Sequence, residues 1–278
     1  MKTMDNMEIR AGTGENACIG ADGLRICTVC GEPMEAYYPD GPVYGRDRHP
    51  VDCACRRAER ECEEAERRWK EHQAAVERLR AGCFAFPLMR SWTFEADTQH
   101  SSQSEICRRY AEHWQEIREK NSGLLLWGDV GTGKSFLAAC IANALIEQEV
   151  AVRMISLGEV IDYGFEGRSE YIRKLCSFPL LILDDFGMER NTKFGLETVC
   201  RVIDGRVMAG KPLIITTNLT LTELKEPEDT DRARIYDRVL SVTAPVRFEG
   251  ESLRRKGQQE KLAMVKNLLK GKENTRES

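Results

Sequence analysis

From residue 124 onward the chain alternates short apolar runs with longer stretches of helical period. Leu124-Leu125-Leu126-Trp127 is an unbroken apolar run of strand length. Residues 134–146 then read as a helix, 151–156 as a second strand, and a helical stretch reaches Ser177. Residues 179–184 give a third strand, 193–209 a helix, and 212–217 a fourth strand with short helices after it. Strands that are apolar throughout are covered on both faces, so the alternation predicts an α/β fold, a parallel sheet flanked by helices.

The first third of the chain has other periods. Residues 56–80 are rich in Glu, Arg, Ala and Lys, and Ala58, Cys62, Ala65, Trp69, His72, Val76 and Leu79 recur at alternating spacings of four and three. That is a heptad seam, and it predicts a helix that is either solvated alone or set against a copy of itself or a partner. Residues 82–87 break it, and 92–121 read as an entry segment with an amphipathic helix near 104–120. Residues 1–26 are polar and Gly-rich without periodicity, a mostly flexible lead-in with order beginning near Gly23 and Leu24. The charged tail after Leu269 is expected to be disordered. The expected division is a lead-in 1–26, a cysteine module 27–55, a linker helix 56–82, a main domain 83–255, and a C-terminal helix with tail 256–278.

Composition narrows the classes. With 41 basic against 45 acidic residues and a net charge of −4, the molecule is no basic coat for DNA, and any nucleic-acid contact must be a local patch. No run approaches about 18 apolar residues, and MKTMDNMEIR lacks the apolar core of a secretory signal. A cytoplasmic protein with no membrane contact is expected. Eleven cysteines, unevenly clustered, suit reduced thiols and a metal site better than a secreted disulfide framework. Cys107, Cys140, Cys176 and Cys200 are expected to pack as small apolar residues.

The most specific signal follows the first apolar run. Gly128-Asp129-Val130-Gly131-Thr132-Gly133-Lys134-Ser135 matches the phosphate-binding pattern GxxxxGK[ST] in the strand–loop–helix setting it requires. Glycines let backbone N–H groups curl around a phosphate, Lys134 brings a cation to the β/γ oxygens, and the Ser135 hydroxyl can ligate Mg²⁺. The helix that carries Lys134, Ser135 and Phe136 points its positive end at the ligand. The third strand then delivers Asp184 and Asp185 at its C-terminal end, where acidic groups face a nucleotide. Asp184 suits Mg²⁺, and Asp185 stands where a carboxylate could orient the water that attacks ATP. The fourth strand ends at Asn218, whose amide could hold that water or a γ-phosphate oxygen. Arg234, Arg238, Arg254 and Arg255 follow, and arginine stabilises transition-state charge in cis or from a neighbouring subunit.

Cys27-Thr-Val-Cys30 and Cys53-Ala-Cys55 are two close pairs joined by a loop rich in Pro, Gly, Tyr and Asp. Such a segment builds little apolar core, and four thiolates at about 2.3 Å suit a structural Zn²⁺. Because CxC is a tight pair, Cys62, Cys18 or His49 stand as substitutes for a fourth ligand.

GDVGTGKS, LLILDDFG, a helix ending IDGRVMAGKP, IITTN, RIYDRVL and GESLRR occur in the order seen in the AAA+ helicase loaders. Over residues 84–255 the chain resembles the DnaC/DnaI-type loaders, with IstB-type transposition ATPases as near relatives. IGADGLRICTVCGEP followed by CxC is similar to the zinc-bearing N-terminal region of loaders from Gram-positive bacteria and their phages. The resemblance implies an AAA+ P-loop NTPase with ATP, Mg²⁺ and Zn²⁺ as cofactors. Lys134 and Ser135 go to phosphate and metal, Asp184 and Asp185 to metal and water, Asn218 to the polar sensor, Arg238 to the trans-acting finger with Arg234 as rival, and Arg254 to the second sensor. Asp185, where many AAA+ proteins carry Glu, implies slow hydrolysis suited to a switch. The implied partners are a hexameric replicative helicase, docked by the zinc arm, single-stranded DNA, and other copies through the AAA+ domains.

Tyr163, Phe165, Arg168, Tyr171, Arg173 and Lys174 mix aromatics with cations and suit a single-strand contact. An ordinary amphipathic helix with Tyr171, Ile172 and Leu175 inward explains the same residues and is preferred. Besides the loader, two activities compete: an ATPase regulating a transposase on duplex DNA, disfavoured by the cysteine module, and a small-molecule kinase, for which no acceptor site is evident.

Overall fold

The computed structural model describes residues 16–163, 166–187, 193–227, 229–250 and 252–270. The expectations for residues 1–15, for the tail 271–278 and for Phe165 lie outside them. The chain divides into two compact units, Met1–Gln73 and Ala74–Ser278.

In the first unit, β1 (Ala17–Ile19) pairs antiparallel with β2 (Arg25–Cys27), and β3 (Glu35–Tyr37) with β4 (Arg48–Pro50). Among the described residues regular structure begins at Ala17, ahead of the expected Gly23-Leu24. The Asp22 carboxylate accepts from Leu24 N–H (3.1 Å) and closes the tight β1–β2 turn, a local bond that polar residues supply without any periodicity. Helix α1 (Ala54–Cys83) starts two residues before the expected linker helix and runs across the boundary between the units. Of its heptad seam, Ala58, Cys62, Ala65 and Trp69 are exposed, whereas Val76 is buried and Leu79 packs against the core of the second unit.

The second unit opens with short turns at Pro87–Ser91 and Phe94–Ala96. The expected single helix near 104–120 is two, α2 (Ser102–Glu112), capped by Ser101, and α3 (Trp114–Glu119), separated at His113. There follow β5 (Gly123–Gly128), α4 (Lys134–Glu147), β6 (Val152–Ser156), α5 (Leu157–Asp162), α6 (Arg168–Ser177), β7 (Leu180–Phe186) and α7 (Lys193–Met208). The chain continues through β8 (Leu213–Thr217), α8 (Leu221–Lys225), α9 (Thr230–Val242), β9 (Thr243–Phe248) and α10 (Leu253–Lys270).

All pairs in the five-stranded sheet are parallel, in the order β6-β7-β8-β5-β9. The strands alternate between two cores. Leu124, Leu126, Ile182 and Ile214 face α2 and α4, while Leu125, Leu181, Leu183 and Ile215 face α5, α6, α7 and α9. This two-sided burial is why the strands read as unbroken apolar runs. The fifth strand was not foreseen. β9 is one of the two edges of the sheet, and Pro245, opposite Leu125 in register, brings a residue without an N–H that a central strand would not tolerate.

At the N-terminal ends of β7 and β8, Arg206 of α7 is 1% exposed and donates to the carbonyls of Cys176, Phe178, Pro179 and Pro212. Burial lowers its pKa to about 10, and the carbonyl cage holds the charge in place.

Candidate functional site

The phosphate loop leaves β5 at Gly128 and enters α4 at Lys134. Gly128 has φ 133°, and a β-carbon there would stand 2.0 Å from Phe248 O. At Gly131 (φ 84°) it would stand 2.2 Å from Ser252 Oγ. The glycines are thus fixed by close approach of β9 and of the chain entering α10, as well as by their left-handed φ. Thr132 Oγ1 donates to Asp129 O (2.8 Å), and Lys134 Nζ donates to Gly128 O (2.7 Å) and Asp129 O (2.6 Å). Lys134, 5% exposed, is therefore wrapped by the carbonyls of its own loop at the start of α4.

On β7 the register slips between Leu183 and Phe186, and within that bulge Asp185 takes φ 54°. The slip turns the two neighbouring acids to different uses. Asp184 is partly buried and its carboxylate accepts from Thr216 Oγ1 (2.6 Å) and from the Ser135 hydroxyl. Asp185 is exposed and its N–H donates to the same Thr216 Oγ1 (2.9 Å). Burial pushes the Asp184 carboxyl above its ordinary range, a tendency that the two hydroxyls oppose and the Asp185 charge reinforces. A buried carboxylate in contact with a hydroxyl is a hard-oxygen pair that a divalent cation would relieve, so these residues fit Mg²⁺.

Because β8 lies between β5 and β7, its end places Asn218 between the phosphate loop and the acids. A cavity of about 500 Å³ is lined by Gly131, Gly133, Lys134, Ser135, Asp185 and Asn218, within the size range of small-molecule sites. Val130, Phe136, Trp92 and Leu253 complete the lining. The expected Gly128, Asp129, Thr132 and Asp184 stand behind the lining, shaping the loop or holding Ser135. Trp92 and Leu253 were missed, since an aromatic ahead of β5 and an aliphatic after β9 carry no motif.

The arginines are dispersed. Arg238 forms an ion pair with Asp204 of α7, whose other carboxylate oxygen lies 3.6 Å from Cys200 Sγ. Arg234, one turn earlier on α9, is exposed, as is Arg255. The side chain of Arg254 lies outside the described residues. Arg168, a candidate for nucleic-acid contact, is 8% exposed and donates to Ile161 O and Tyr163 O with its guanidinium over the Phe194 ring. Tyr163 and Tyr171 stack at 4.3 Å, and Ile172 and Leu175 are buried. The segment is the amphipathic helix preferred above, with Arg173 and Lys174 left outside.

In the first unit the sulfur atoms of Cys27, Cys30, Cys53 and Cys55 all lie within 4.8 Å of one another. Four sulfurs around one Zn²⁺ stand about 3.8 Å apart, so this set could bind zinc. Backbone N–H groups of Cys55 and Glu32 point at Cys30 and lower its thiol to about 6, whereas its hydrogen bond with Cys30 raises the Cys55 thiol to about 12. The substitutes stand outside the cluster: Cys18 lies on β1, Cys62 is exposed on α1, and the His49 ring packs against Tyr38 at 4.9 Å. By contrast Cys107, Cys140 and Cys176 are buried as expected, with Cys200 half-buried. Burial raises the Cys107 thiol to about 12. No helix among the described residues is long and apolar enough to cross a membrane.

A parallel sheet in this order, with a glycine loop on the strand beside the β9 edge and acids on the next strand but one, defines a P-loop nucleotide-binding protein of the AAA+ type. Residues 64–261 match the model of the IstB-like ATP binding proteins, and the chain belongs to that family. It is similar to the replicative helicase loader DnaI of Bacillus subtilis, 26% identical over 254 residues, with 82% of this chain and 78% of that protein covered. It is also similar to ATP-binding protein Rv3427c of an insertion sequence in Mycobacterium tuberculosis, 27% identical over 143 residues, with 49% and 57% covered. A crystal structure of DnaI shares the fold with a TM-score of 0.52 at 22% identity, covering 63% of this chain and 98% of that one.

Proposed function

We propose that the protein is an ATP-dependent loader of a replicative DNA helicase onto single-stranded DNA. The observation that carries this reading is the reach of the likeness to DnaI. A match over 82% of the chain exceeds what Ala74–Ser278 alone can supply, so it extends into the cysteine-bearing unit. The insertion-sequence relative matches 49% of the chain.

In this reading the first unit, with Zn²⁺ at Cys27, Cys30, Cys53 and Cys55, is the arm that docks the helicase. The second unit is the switch. Lys134 and the N–H groups of the loop hold the phosphates of ATP, and Ser135 with Asp184 would hold Mg²⁺, which neutralises β/γ-phosphate charge when bound. Asp185 orients the attacking water and Asn218 holds the γ-phosphate or that water. Asp185 is one methylene shorter than Glu and sits on a bulge, which supports slow hydrolysis and the role of a timed switch. Arg238, with Arg234 as rival, serves the site of an adjoining copy, and Arg254 senses the phosphate in cis. Arg238 is held by Asp204, so service to a neighbour requires exchanging that partner.

The test is light scattering on the eluting complex after mixing the protein with the replicative helicase of its host and ATP, with Lys134→Ala as control. A stoichiometric complex in the wild type supports the loader. Absence of any complex, with ATP-dependent filaments on duplex DNA, would transfer the proposal to the second reading. That reading is an ATPase regulating a transposase, which the family membership favours.

A further inference from the structure

The cavity at the phosphate loop lies where the strands end. A second cavity, of about 350 Å³, opens at the opposite end of the sheet, beside Ala151 and Val152 at the start of β6 and Phe178 ahead of β7. Leu79 near the end of α1, with Tyr171 and Leu175 of α6, makes its other walls apolar. The charged part of the described lining is wholly cationic: Arg78 from α1, Arg153 from β6 and Lys174 from α6. Three cations from three elements thus ring one apolar hollow in a chain whose net charge is −4.

Lys174 and Arg78 are exposed, and neither forms an ion pair among the described residues. Arg78 donates from Nε to Ala74 O of its own helix (3.2 Å), which leaves its two terminal nitrogens. Arg153 is the fixed member of the three: it donates to Gly82 O (2.9 Å) and lies 3.7 Å from Glu159, so it ties the end of α1 to β6. β6 is the sheet edge opposite β9. Its Met154 N–H points off the sheet to the Cys83 thiol. Strand groups alternate sides, so Val152 turns its N–H and C=O the same way, to the side where Gly82 and the cavity lie. The hollow therefore offers backbone hydrogen-bonding groups as well as apolar walls and positive charge.

We infer that this hollow docks an extended acidic segment of a partner protein. The main chain of the segment pairs with the outer edge of β6, an apolar side chain enters the cavity, and the Asp or Glu residues beside it meet Lys174 and Arg78. Charge complementarity selects an acidic occupant, and the shape of the site selects a peptide. A nucleic-acid strand needs a basic track along its phosphates and open ring faces on which to stack. Here the cations ring a single hollow, one face of Tyr171 is taken by Tyr163 at 4.3 Å, and the net negative charge of the chain repels a polyanion at long range. The site shares no lining residue with the cavity at the phosphate loop, so it stands whatever that cavity binds. It belongs to the second unit, whereas the helicase arm proposed above is the first.

The test pans a phage library of random linear peptides against the immobilised full chain, then titrates the most enriched peptide, made synthetically with a dye, by fluorescence anisotropy. Sequences that alternate Asp or Glu with Leu, Ile, Val or Phe should be enriched. Lys174→Glu should weaken that peptide by at least about fivefold, and Arg78→Glu together with Lys174→Glu should weaken it further. Lys174→Gln should fall between wild type and Lys174→Glu, and the melting temperature of every variant should match wild type, which guards against a folding defect. Methylating the backbone nitrogens of the peptide around its apolar anchor should also cost about fivefold, because pairing with β6 then loses its donors. No enrichment over the bare surface, a consensus without acids, or binding that the double variant leaves unchanged overturns the inference. So does an oligo-dT strand that binds with the same sensitivity to Lys174→Glu where no peptide does, which would make the hollow a nucleic-acid site.

Discussion

The two units of this chain are held together by different means. Among the described residues of the first, the buried apolar side chains are Leu24 and three cysteines, Cys18, Cys27 and Cys53, and its strands are three residues long. The second has two cores, one on each face of a five-stranded sheet. A unit with one buried leucine cannot offset the entropy of ordering its backbone by burial, whereas the sheet can. The first unit is therefore expected to be conditional on its four sulfurs, and the second to stand without them.

Metal removal should break the comparison most visibly. Structural zinc contributes about 10–16 kcal/mol of binding free energy that is also folding free energy. A strong chelator should release one zinc per chain and open the first unit to proteolysis, while the melting transition of the second is unchanged. Cys53→Ser should reproduce the chelator and Cys62→Ser should not. A chelated protein with an intact, protease-resistant first unit would show that its hairpins fold unaided. The converse lever is Arg206. Its replacement by Met strands several buried carbonyls at about 1–3 kcal/mol each, so a loss of about 4 kcal/mol is expected in urea unfolding of the second unit alone. An unchanged midpoint would mean that the sheet ends are satisfied by water.

What was legible in the sequence divides along related lines. The central strands of the second unit were readable because burial on both faces makes them apolar throughout, and the loop because phosphate geometry demands glycines at fixed spacing. Asn218 was readable by motif order alone. β9 was not, because an edge strand is free to carry Pro245 and polar residues, and its parallel pairing is set by β5 far away in the chain. The hairpin at Ala17 escaped because three-residue strands have no period to detect. Arg206 was invisible as well: in a chain with 31% charged residues, nothing local distinguishes an arginine that cages four carbonyls from one in water.

Within the second unit the comparison sharpens at Lys134. Its ammonium is held by Gly128 O and Asp129 O; in the ATP site proposed above, Lys134→Ala should remove a charge-assisted phosphate contact worth about 1.5–3 kcal/mol, roughly tenfold or more in ATP affinity. Titration with ATP reads this directly. An unaltered affinity would mean that the loop amides suffice and the lysine only closes the loop.

The smallest effect, and the most diagnostic, is at Asp184. Burial raises its native pKa above that of the unfolded chain, so between the two values the native state holds the extra proton. With more protons bound in the native state, stability falls as pH climbs through the raised pKa and the cost persists at neutral pH. Asp184→Asn removes that cost while keeping an oxygen for Thr216 and Ser135. In ligand-free protein it should raise the melting temperature at pH 7, with the gain vanishing as pH approaches 4. Thr216→Val acts in the opposite direction: it deletes the hydroxyl that favours the charged form and should cost about 1 kcal/mol at pH 7, less in acid, with Thr216→Ser restoring the loss. Added Mg²⁺ should stabilise wild type and Thr216→Val but leave Asp184→Asn unmoved. Were Asp184→Asn instead destabilising at every pH, the carboxylate would be part of the scaffold, as Arg206 is at the other end of the same strand, and the cation would have to be sought at Asp185.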